Sequence, residues 1–119
     1  MKLYFDPITV NCRKVAAGFS LMNVPFEEAR VNYLGGGHKA PEYLQINPNG
    51  SLPALVDGNF KLWESNAILQ YVADKHQAFA YYPKEPKSRA DIIVGNFGSR
   101  LIGTLAATSI SLRTLSNLS

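Results

Sequence analysis

The chain has 119 residues, of which 46% are hydrophobic. This is enough for one ordinary globular core, with at most a fragment of a second domain. Twelve Lys and Arg residues against nine Asp and Glu residues give a net charge of +3. This excess of positive charge is mild, and the sequence has no basic runs interleaved with aromatic residues. We therefore do not expect nucleic acid as a partner.

The numbers of cysteines and histidines and the lengths of the apolar segments further limit the kinds of protein and of site that we expect. Cys12 is the only cysteine, and His38 and His76 lie far apart, so we expect neither an internal disulfide nor a metal site. The apolar run at the N-terminus is too short for a signal peptide, and no window approaches the ~20 apolar residues of a membrane span. We therefore expect a cytoplasmic protein without a membrane partner.

The first half of the chain predicts a βαβ unit. Alternating β-forming residues favour a strand over 2–5, and apolar residues at helical spacing predict a helix over about 11–23. A second strand is predicted over 26–31, after a proline break. Since a helical crossover joins parallel strands, these two strands should pair in the same direction.

The second half predicts a short helix and then an antiparallel hairpin. Three glycines at 35–37 indicate a flexible loop, and a helix is predicted over 40–45 with its proline in the first turn. Strands are predicted over 53–56 and 59–62, with Asp57-Gly58 as the turn between them.

A last helix, predicted over 65–75, completes the order βαβαββα and makes residues 1–77 an α/β sandwich. Its expected buried residues are Ala67, Ile68, Tyr71 and Val72. Two prolines indicate a surface linker over 78–86, and 87–91 has the character of another helix start.

The composition changes abruptly after residue 91. Residues 92–119 contain no Asp or Glu, two basic residues, eight Ser or Thr and one aromatic residue. Three glycines would interrupt a helix there. We therefore do not expect this tail to belong to the same core.

Thr9 and Asn11 lie where the first strand turns into the first helix, at the end where free N–H groups stabilise an anion. The effect is too small to ionise a hydroxyl, but a thiolate supplied by a ligand needs only modest help. Thr9 is thus expected to donate a hydrogen bond to a bound thiolate, with Asn11 as a second candidate. Alternatively, either residue only caps the helix.

Cys12 is either a redox thiol or a small hydrophobic residue in the core. Its position on the apolar face of the first helix favours the second interpretation.

A second candidate region follows the turn-rich stretch 47–50. Leu52 precedes Pro53 and can pair through its backbone with an extended ligand. The helix that opens at Ser65 offers free N–H groups to a carboxylate. Together these features favour a short, acidic, peptide-like ligand.

Six motifs in order, spread over about residues 1–91, make a family resemblance plain. They are Lys2-Leu3-Tyr4-Phe5-Asp6-Pro7, Asn11-Cys12-Arg13-Lys14-Val15, His38-Lys39-Ala40-Pro41-Glu42-Tyr43-Leu44, Asn47-Pro48-Asn49-Gly50, Leu52-Pro53-Ala54-Leu55 and Glu64-Ser65-Asn66-Ala67-Ile68. The chain resembles the N-terminal, thioredoxin-like domain of cytosolic glutathione transferases, and in particular bacterial members of the theta- and phi-like groups. Each motif alone is weak, but the combination is highly specific.

The resemblance implies roles at the sulfur and cysteinyl parts of glutathione. Thr9 stands where such enzymes usually carry the serine that hydrogen-bonds the sulfur, and Asn11 matches an asparagine that some bacterial relatives use. Leu52 precedes a cis-proline in the family, here Pro53, and its backbone pairs with the cysteinyl part. The alternative is that Pro53 is a trans proline at a strand edge.

The resemblance also implies roles at the two ends of glutathione. Glu64 and Ser65 match the pair that holds the γ-glutamyl end, and His38 and Lys39 match residues that reach the glycyl carboxylate. Ser51 replaces a common glutamine or lysine and carries no expectation. Each residue also has a plain structural interpretation, as a first-turn acid, a helix cap, a loop residue or a solvated charge.

The implied reaction joins the glutathione thiolate to an electrophilic carbon of a small molecule, as in detoxification, with glutathione as co-substrate and no prosthetic group or metal. One alternative is a non-catalytic glutathione-binding fragment. Another is a glutaredoxin-like oxidoreductase that uses Cys12, although its pattern would want a cysteine where Thr9 stands. A homodimer stays open, because family dimers use both domains.

An all-helical domain follows in the family, so 87–119 is expected to hold its start and an atypical tail. Reading 95–108 back through permitted codons in a shifted frame can yield a tryptophan-rich sequence typical of that domain. The hypothesis is a truncated C-terminus created by a single-base deletion near Ile93. Sequencing the encoding DNA tests it, because the absence of such a continuation in both alternative frames would end the idea.

Overall fold

The computed structural model describes residues 1–94. Its elements in chain order are β1 (Lys2–Phe5), α1 (Val10–Leu21), β2 (Glu27–Arg30), a 3₁₀ turn (Gly37–Lys39), α2 (Pro41–Leu44), β3 (Ala54–Asp57), β4 (Phe60–Trp63), α3 (Ser65–Lys75) and α4 (Pro86–Val94). The expectations for the tail beyond residue 94 lie outside the described residues. Within residues 1–94, no helix is long and apolar enough to cross a membrane.

The four strands form one mixed sheet in the order β2-β1-β3-β4. Strands β1 and β2 pair in parallel, with Lys2 opposite Glu27 and Phe5 opposite Arg30. Strand β3 runs antiparallel to both β1 and β4. This topology confirms the predicted thioredoxin-like α/β domain with its βαβ half and its hairpin half.

The core lies between one face of the sheet and helices α1 and α3, which also pack against each other. Leu3, Phe5 and Leu55 from the strands are fully buried. From α1, Phe19 is also fully buried, and its ring meets that of Phe26 edge-on with 5.1 Å between the centroids. This packing holds α1 and α3 firmly in place above the sheet.

Helix α1 ends earlier than predicted because the chain turns left-handed at Asn23, where φ is 57°. The Val24 N–H donates to the Phe19 carbonyl oxygen, and the Asn23 N–H donates to that of Ser20. These two bonds form a Schellman motif with asparagine in the position that glycine usually takes. Strand β2 is likewise shorter than predicted at both ends.

The hairpin turn lies one residue later than predicted. Asp57 and Phe60 are the last paired residues, so Gly58 and Asn59 form the turn. Gly58 has φ of 61°, whereas Asn59 is absent from the residues with positive φ. This pattern fits a type II′ turn, which places glycine first, and both strands shift along by one residue.

Helix α3 has the predicted bounds but buries a different stripe from the predicted one. Its buried apolar residues are Ile68, Leu69, Val72 and Ala73. Ala67 and Tyr71, which were expected inside, are only half-buried. The stripe is rotated because α3 packs on α1 as well as on the sheet, and the Tyr71 hydroxyl donates to the Asp57 carboxylate.

The segment predicted as a surface linker is partly buried. Tyr82 is 4% exposed and belongs to the core cluster. The Arg89 guanidinium of α4 lies 4.2 Å from the centre of the Tyr82 ring and pairs with the Asp74 carboxylate of α3. These contacts tie the start of α4 to α3.

Asp57 links the hairpin to α3 and should make stability depend on pH. Its carboxylate accepts hydrogen bonds from Lys75 and Tyr71, and the Lys75 bond, followed by the Tyr71 bond, lowers the pKa of Asp57. A lowered folded-state pKa gives stability that is present above the ordinary carboxyl pKa of ~3.9 and is lost as the pH falls through the folded-state value. We expect Lys75→Met to lower the urea unfolding midpoint at neutral pH but to change it little once Asp57 is protonated.

The matched control is Lys87→Met, because Lys87 is exposed and its ammonium contacts no acid among the described residues. An equal effect of Lys75→Met at neutral and acid pH would show that Asp57 is not the source of the stabilisation.

Candidate functional site

Three connections of the chain meet at one edge of the sheet. Strands β1 and β4 run in the same direction and β3 runs in the opposite one. The residues that follow β1, precede β3 and follow β4 therefore lie at the same edge, where α1 and α3 also begin. Thr9, Pro53 and Ser65 occupy these positions, so the topology alone brings three of the sequence-predicted site residues to one place.

Thr9 is the N-cap of α1. Its Oγ1 accepts a hydrogen bond from the Cys12 N–H at 3.2 Å and donates to the Asp6 carbonyl oxygen at 3.3 Å. The capping interpretation therefore holds for Thr9, and the hydroxyl still lies at the positive end of the helix. Asn11 lies in the first turn of the same helix and is exposed.

Cys12 is a buried thiol. It is 0% exposed, and the Asp6 N–H donates to its Sγ at 3.4 Å. Burial raises the pKa of the Cys12 thiol, and this outweighs the hydrogen bond with Thr9, which lowers it. A thiol with a raised pKa is a poor nucleophile at neutral pH, so the structure supports the interpretation of Cys12 as a small core residue.

The Leu52–Pro53 peptide bond is cis, so the alternative of a trans proline at a strand edge is wrong. Pro53 is fully buried and Leu52 is 8% exposed. Among the described residues, no backbone hydrogen bond engages the N–H or the carbonyl of Leu52. A backbone with both groups unpaired just before β3 begins is suited to pair with an extended ligand.

Asn47 holds the loop before Leu52, and the sequence alone indicated no such role for it. Its side chain is fully buried. Its Nδ2 donates to the Ser51 carbonyl oxygen at 2.8 Å and to the Ser51 Oγ at 3.0 Å, and its Oδ1 accepts from the Asn49 N–H at 3.0 Å. The Tyr43 hydroxyl donates to the same Ser51 carbonyl oxygen. The available signal was the Asn-Pro-Asn-Gly stretch, which is typical of an asparagine that closes its own turn.

Glu64 and Ser65 form the start of α3. Glu64 is the N-cap, not a first-turn acid, and its exposed carboxylate makes no capping hydrogen bond. Its φ of 75° is strained for a residue other than glycine, at a cost of about 1–3 kcal/mol that is typical of functional positions. Ser65 is not the cap, because it is the first helical residue, and it is only 8% exposed.

The first turn of α3 leaves several polar groups unpaired. The first hydrogen bond of the helix runs from the Ile68 N–H to the Glu64 carbonyl oxygen, so the N–H groups of the three residues before Ile68 have no intrahelical partner. The Asn66 Oδ1 is buried and has no donor among the described residues. Sequence reasoning missed Asn66, because nothing in the motif Glu-Ser-Asn-Ala-Ile indicates that its side chain is enclosed.

His38 and Lys39 lie in the 3₁₀ turn at the loop that was expected to be flexible. The His38 ring stacks on the Tyr33 ring with centroids 4.3 Å apart, and its Nδ1 is buried without a partner among residues 1–94. Lys39 is exposed, but a Cβ at Gly50 would lie 2.9 Å from its Nζ. The Lys39 ammonium is therefore close to the loop that leads to Leu52.

The arrangement can hold an extended, charged ligand. The amino ends of two helices, the unpaired Leu52 backbone and the Lys39 ammonium offer donors and positive potential, while the Glu64 carboxylate is available to a cation. The described residues contain no cluster of His, Cys, Asp and Glu that could hold a metal ion.

The model of the glutathione S-transferase N-terminal domain family matches residues 2–74. The solved human theta-2 glutathione transferase, in complex with glutathione, is 34% identical, covers 89% of this chain and superposes with a TM-score of 0.73. A diazinon-metabolizing enzyme of the silkworm Bombyx mori is 40% identical over 75% of the chain (TM-score 0.70), and glutathione transferase F2 of Populus trichocarpa is 34% identical over 76% (TM-score 0.70). This chain corresponds to only 42–44% of the length of these three proteins. The chain belongs to the glutathione S-transferase family, within which it corresponds to the N-terminal domain.

Proposed function

We propose that the chain binds glutathione at this edge of the sheet and that the protein transfers its thiolate to an electrophilic small molecule. The unpaired N–H and carbonyl of Leu52, beside the amino ends of two helices, are the observation that carries this proposal. They give an extended peptide a backbone partner and give its negative groups two favourable positions.

Each part of glutathione has a partner in this proposal. The cysteinyl backbone pairs with Leu52, the γ-glutamyl end meets Glu64 and Ser65, and the glycyl carboxylate lies towards Lys39 and His38. The sulfur then faces the amino end of α1, where Thr9 or Asn11 donates to it.

The chemistry needs a thiolate and a fixed position for it. The thiol proton passes to solvent, the sulfur lone pair forms a bond to an electrophilic carbon, and the electrons of the broken bond leave with a leaving group or move onto the acceptor. A hydroxyl donor and a helix terminus favour the thiolate, and the bound backbone orients it. Because this chemistry needs a free thiol, we place the protein in the reducing cytoplasm.

Removal of the Ser65 hydroxyl tests the binding site. Ser65 is almost buried at the start of α3, and a hydrogen bond to a charged ligand group is worth more than a neutral one. We expect Ser65→Ala to weaken glutathione binding about tenfold in calorimetric titration. Ser20→Ala, near the carboxyl end of α1, is the control, and this variant should bind glutathione like the unmodified chain. An absence of glutathione binding by the unmodified chain would refute the proposed function.

Binding and turnover are separated by a second assay on the same samples. Conjugation of a chromogenic electrophile at saturating glutathione measures transfer, whereas titration measures binding. Binding without conjugation would identify the chain as a non-catalytic glutathione-binding protein.

A further inference from the structure

The Asp6 carboxylate joins two loops that lie far apart in the sequence. It is 8% exposed and follows directly after β1. Its Oδ1 accepts a hydrogen bond from the Ile8 N–H at 3.1 Å, and its Oδ2 accepts one from the Tyr33 N–H at 3.0 Å. The bond from Tyr33 is the largest influence on the pKa of Asp6 and lowers it, so the carboxyl group is ionised at neutral pH. Both bonds are therefore charge-assisted and stronger than bonds between neutral groups.

The Tyr33 bond holds the loop that carries two of the proposed glutathione contacts. Residues 32–39 lead from the end of β2 through the 3₁₀ turn, where His38 and Lys39 lie. Among the described residues, the bond to Asp6 is the only hydrogen bond that joins this loop to a distant part of the chain. The Tyr33 ring also stacks on the His38 ring, so a displacement of Tyr33 displaces His38 as well.

The main chain of Asp6 holds the other side of the site. Its carbonyl oxygen accepts from the Thr9 N–H at 3.1 Å, and its N–H donates to the Cys12 Sγ at 3.4 Å. Because these bonds use main-chain atoms of Asp6, they remain when the side chain is replaced. The carboxylate is therefore needed for the loop of His38 and Lys39 more than for the position of Thr9.

We propose that Asp6 positions the glycyl end of glutathione by holding, through Tyr33, the 3₁₀ turn whose side chains meet the glycyl carboxylate. This inference rests on the proposed function and adds a positioning residue to it. Asp6 acts without touching the ligand. A ligand that ends at its cysteine should therefore be almost insensitive to Asp6, whereas a ligand that extends to the glycyl carboxylate should depend on it.

Two ligands of equal net charge test this dependence. Glutathione and γ-glutamylcysteine each carry two carboxylates and one ammonium, but γ-glutamylcysteine lacks the glycine. Each is titrated by calorimetry into the unmodified chain and into Asp6→Ala, which removes both acceptor oxygens. Circular dichroism checks folding, and Asp6→Leu, which fills a similar volume without an acceptor, replaces Asp6→Ala if the latter does not fold.

The matched control is Glu85→Ala. The Glu85 carboxylate likewise accepts hydrogen bonds from two main-chain N–H groups, but these lie in the first turn of α4. Helix α4 pairs with α3 at Asp74, near the carboxyl end of α3 and away from the site. The control therefore loses the same kind of bond in a place that the ligand does not reach.

The proposal expects a loss that depends on the glycine. Asp6→Ala should weaken glutathione binding about tenfold and γ-glutamylcysteine binding less than about twofold, while Glu85→Ala changes neither affinity. An equal loss for the two ligands, or no loss for glutathione, would overturn the proposal. A failure of both Asp6 variants to fold would also overturn it, since Asp6 would then serve the fold itself.

Lys39→Met gives a second readout that a merely structural role of Asp6 would not move. In the unmodified chain it should weaken glutathione binding about fivefold, and in the Asp6→Ala background less than about twofold, because Lys39 is no longer held against the ligand. The full effect of Lys39→Met in both backgrounds would show that Asp6 does not act through this turn. If the unmodified chain bound neither ligand, the proposed function itself would fail. Equal affinity of the unmodified chain for the two ligands would refute the role of Asp6 and leave glutathione binding intact.

Discussion

Replacement of Asn47 by alanine is expected to lower the free energy of unfolding by about 3 kcal/mol. The Asn47 side chain is fully buried and makes hydrogen bonds to both the carbonyl and the hydroxyl of Ser51 and to the Asn49 N–H. Alanine leaves these groups without their partner inside the loop and opens a small cavity. Two or three lost hydrogen bonds at about 1 kcal/mol each, plus the cavity, give the stated magnitude.

Urea unfolding followed by the fluorescence of the only tryptophan, Trp63, measures this loss. Asn49→Ala is the matched control, since Asn49 is exposed and its side chain makes one longer hydrogen bond of 3.3 Å to Ser51. The control should lose less than about 0.5 kcal/mol. Similar losses in the two variants would mean that the Asn47 network does not stabilise the fold. If the network holds Leu52 for the ligand, Asn47→Ala should also weaken glutathione binding in the folded fraction.

The fold was predictable because its signals are local. Apolar residues at helical spacing predict the helices, the alternation of apolar and polar residues predicts the strands, and a turn that contains glycine predicts the hairpin. The errors follow from interactions that these patterns do not contain. The turn register depends on whether Gly58 or Asn59 takes the positive φ, and the buried stripe of α3 depends on its packing against α1.

The candidate site was predictable to a smaller extent. Parallel β1 and β2 and the hairpin fix strand directions, and these place Thr9, Pro53 and Ser65 at one edge. The cis bond at Pro53 was expected only through family resemblance, because sequence patterns favour no particular isomer at one proline. Asn47 stood in a quoted motif but received no role, because asparagine usually lies at the surface and the burial of this one arises from tertiary packing.

The second large effect concerns the thiol of bound glutathione. We expect Thr9→Val to raise the pKa of the bound thiol by about 1–2 units, because a hydrogen bond to a charged group contributes about 1.5–3 kcal/mol and one pKa unit corresponds to 1.36 kcal/mol. The ultraviolet absorbance of the thiolate, titrated with pH at saturating glutathione, measures the shift. Thr9→Ser keeps the hydroxyl and should leave the pKa of the bound thiol nearly unchanged.

Thr9→Val also removes the cap of α1, so the two effects of the hydroxyl need to be separated. A lost cap costs about 1 kcal/mol of stability and appears in urea unfolding without ligand, whereas the thiol shift appears only in the complex. To reach the sulfur, the Thr9 hydroxyl must turn from the Asp6 carbonyl oxygen, and at 3.3 Å that bond is long and cheap to break. Asn11→Ala keeps the cap and tests the second candidate. If Asn11→Ala raised the thiol pKa and Thr9→Val did not, Asn11 would be the donor and Thr9 only the cap.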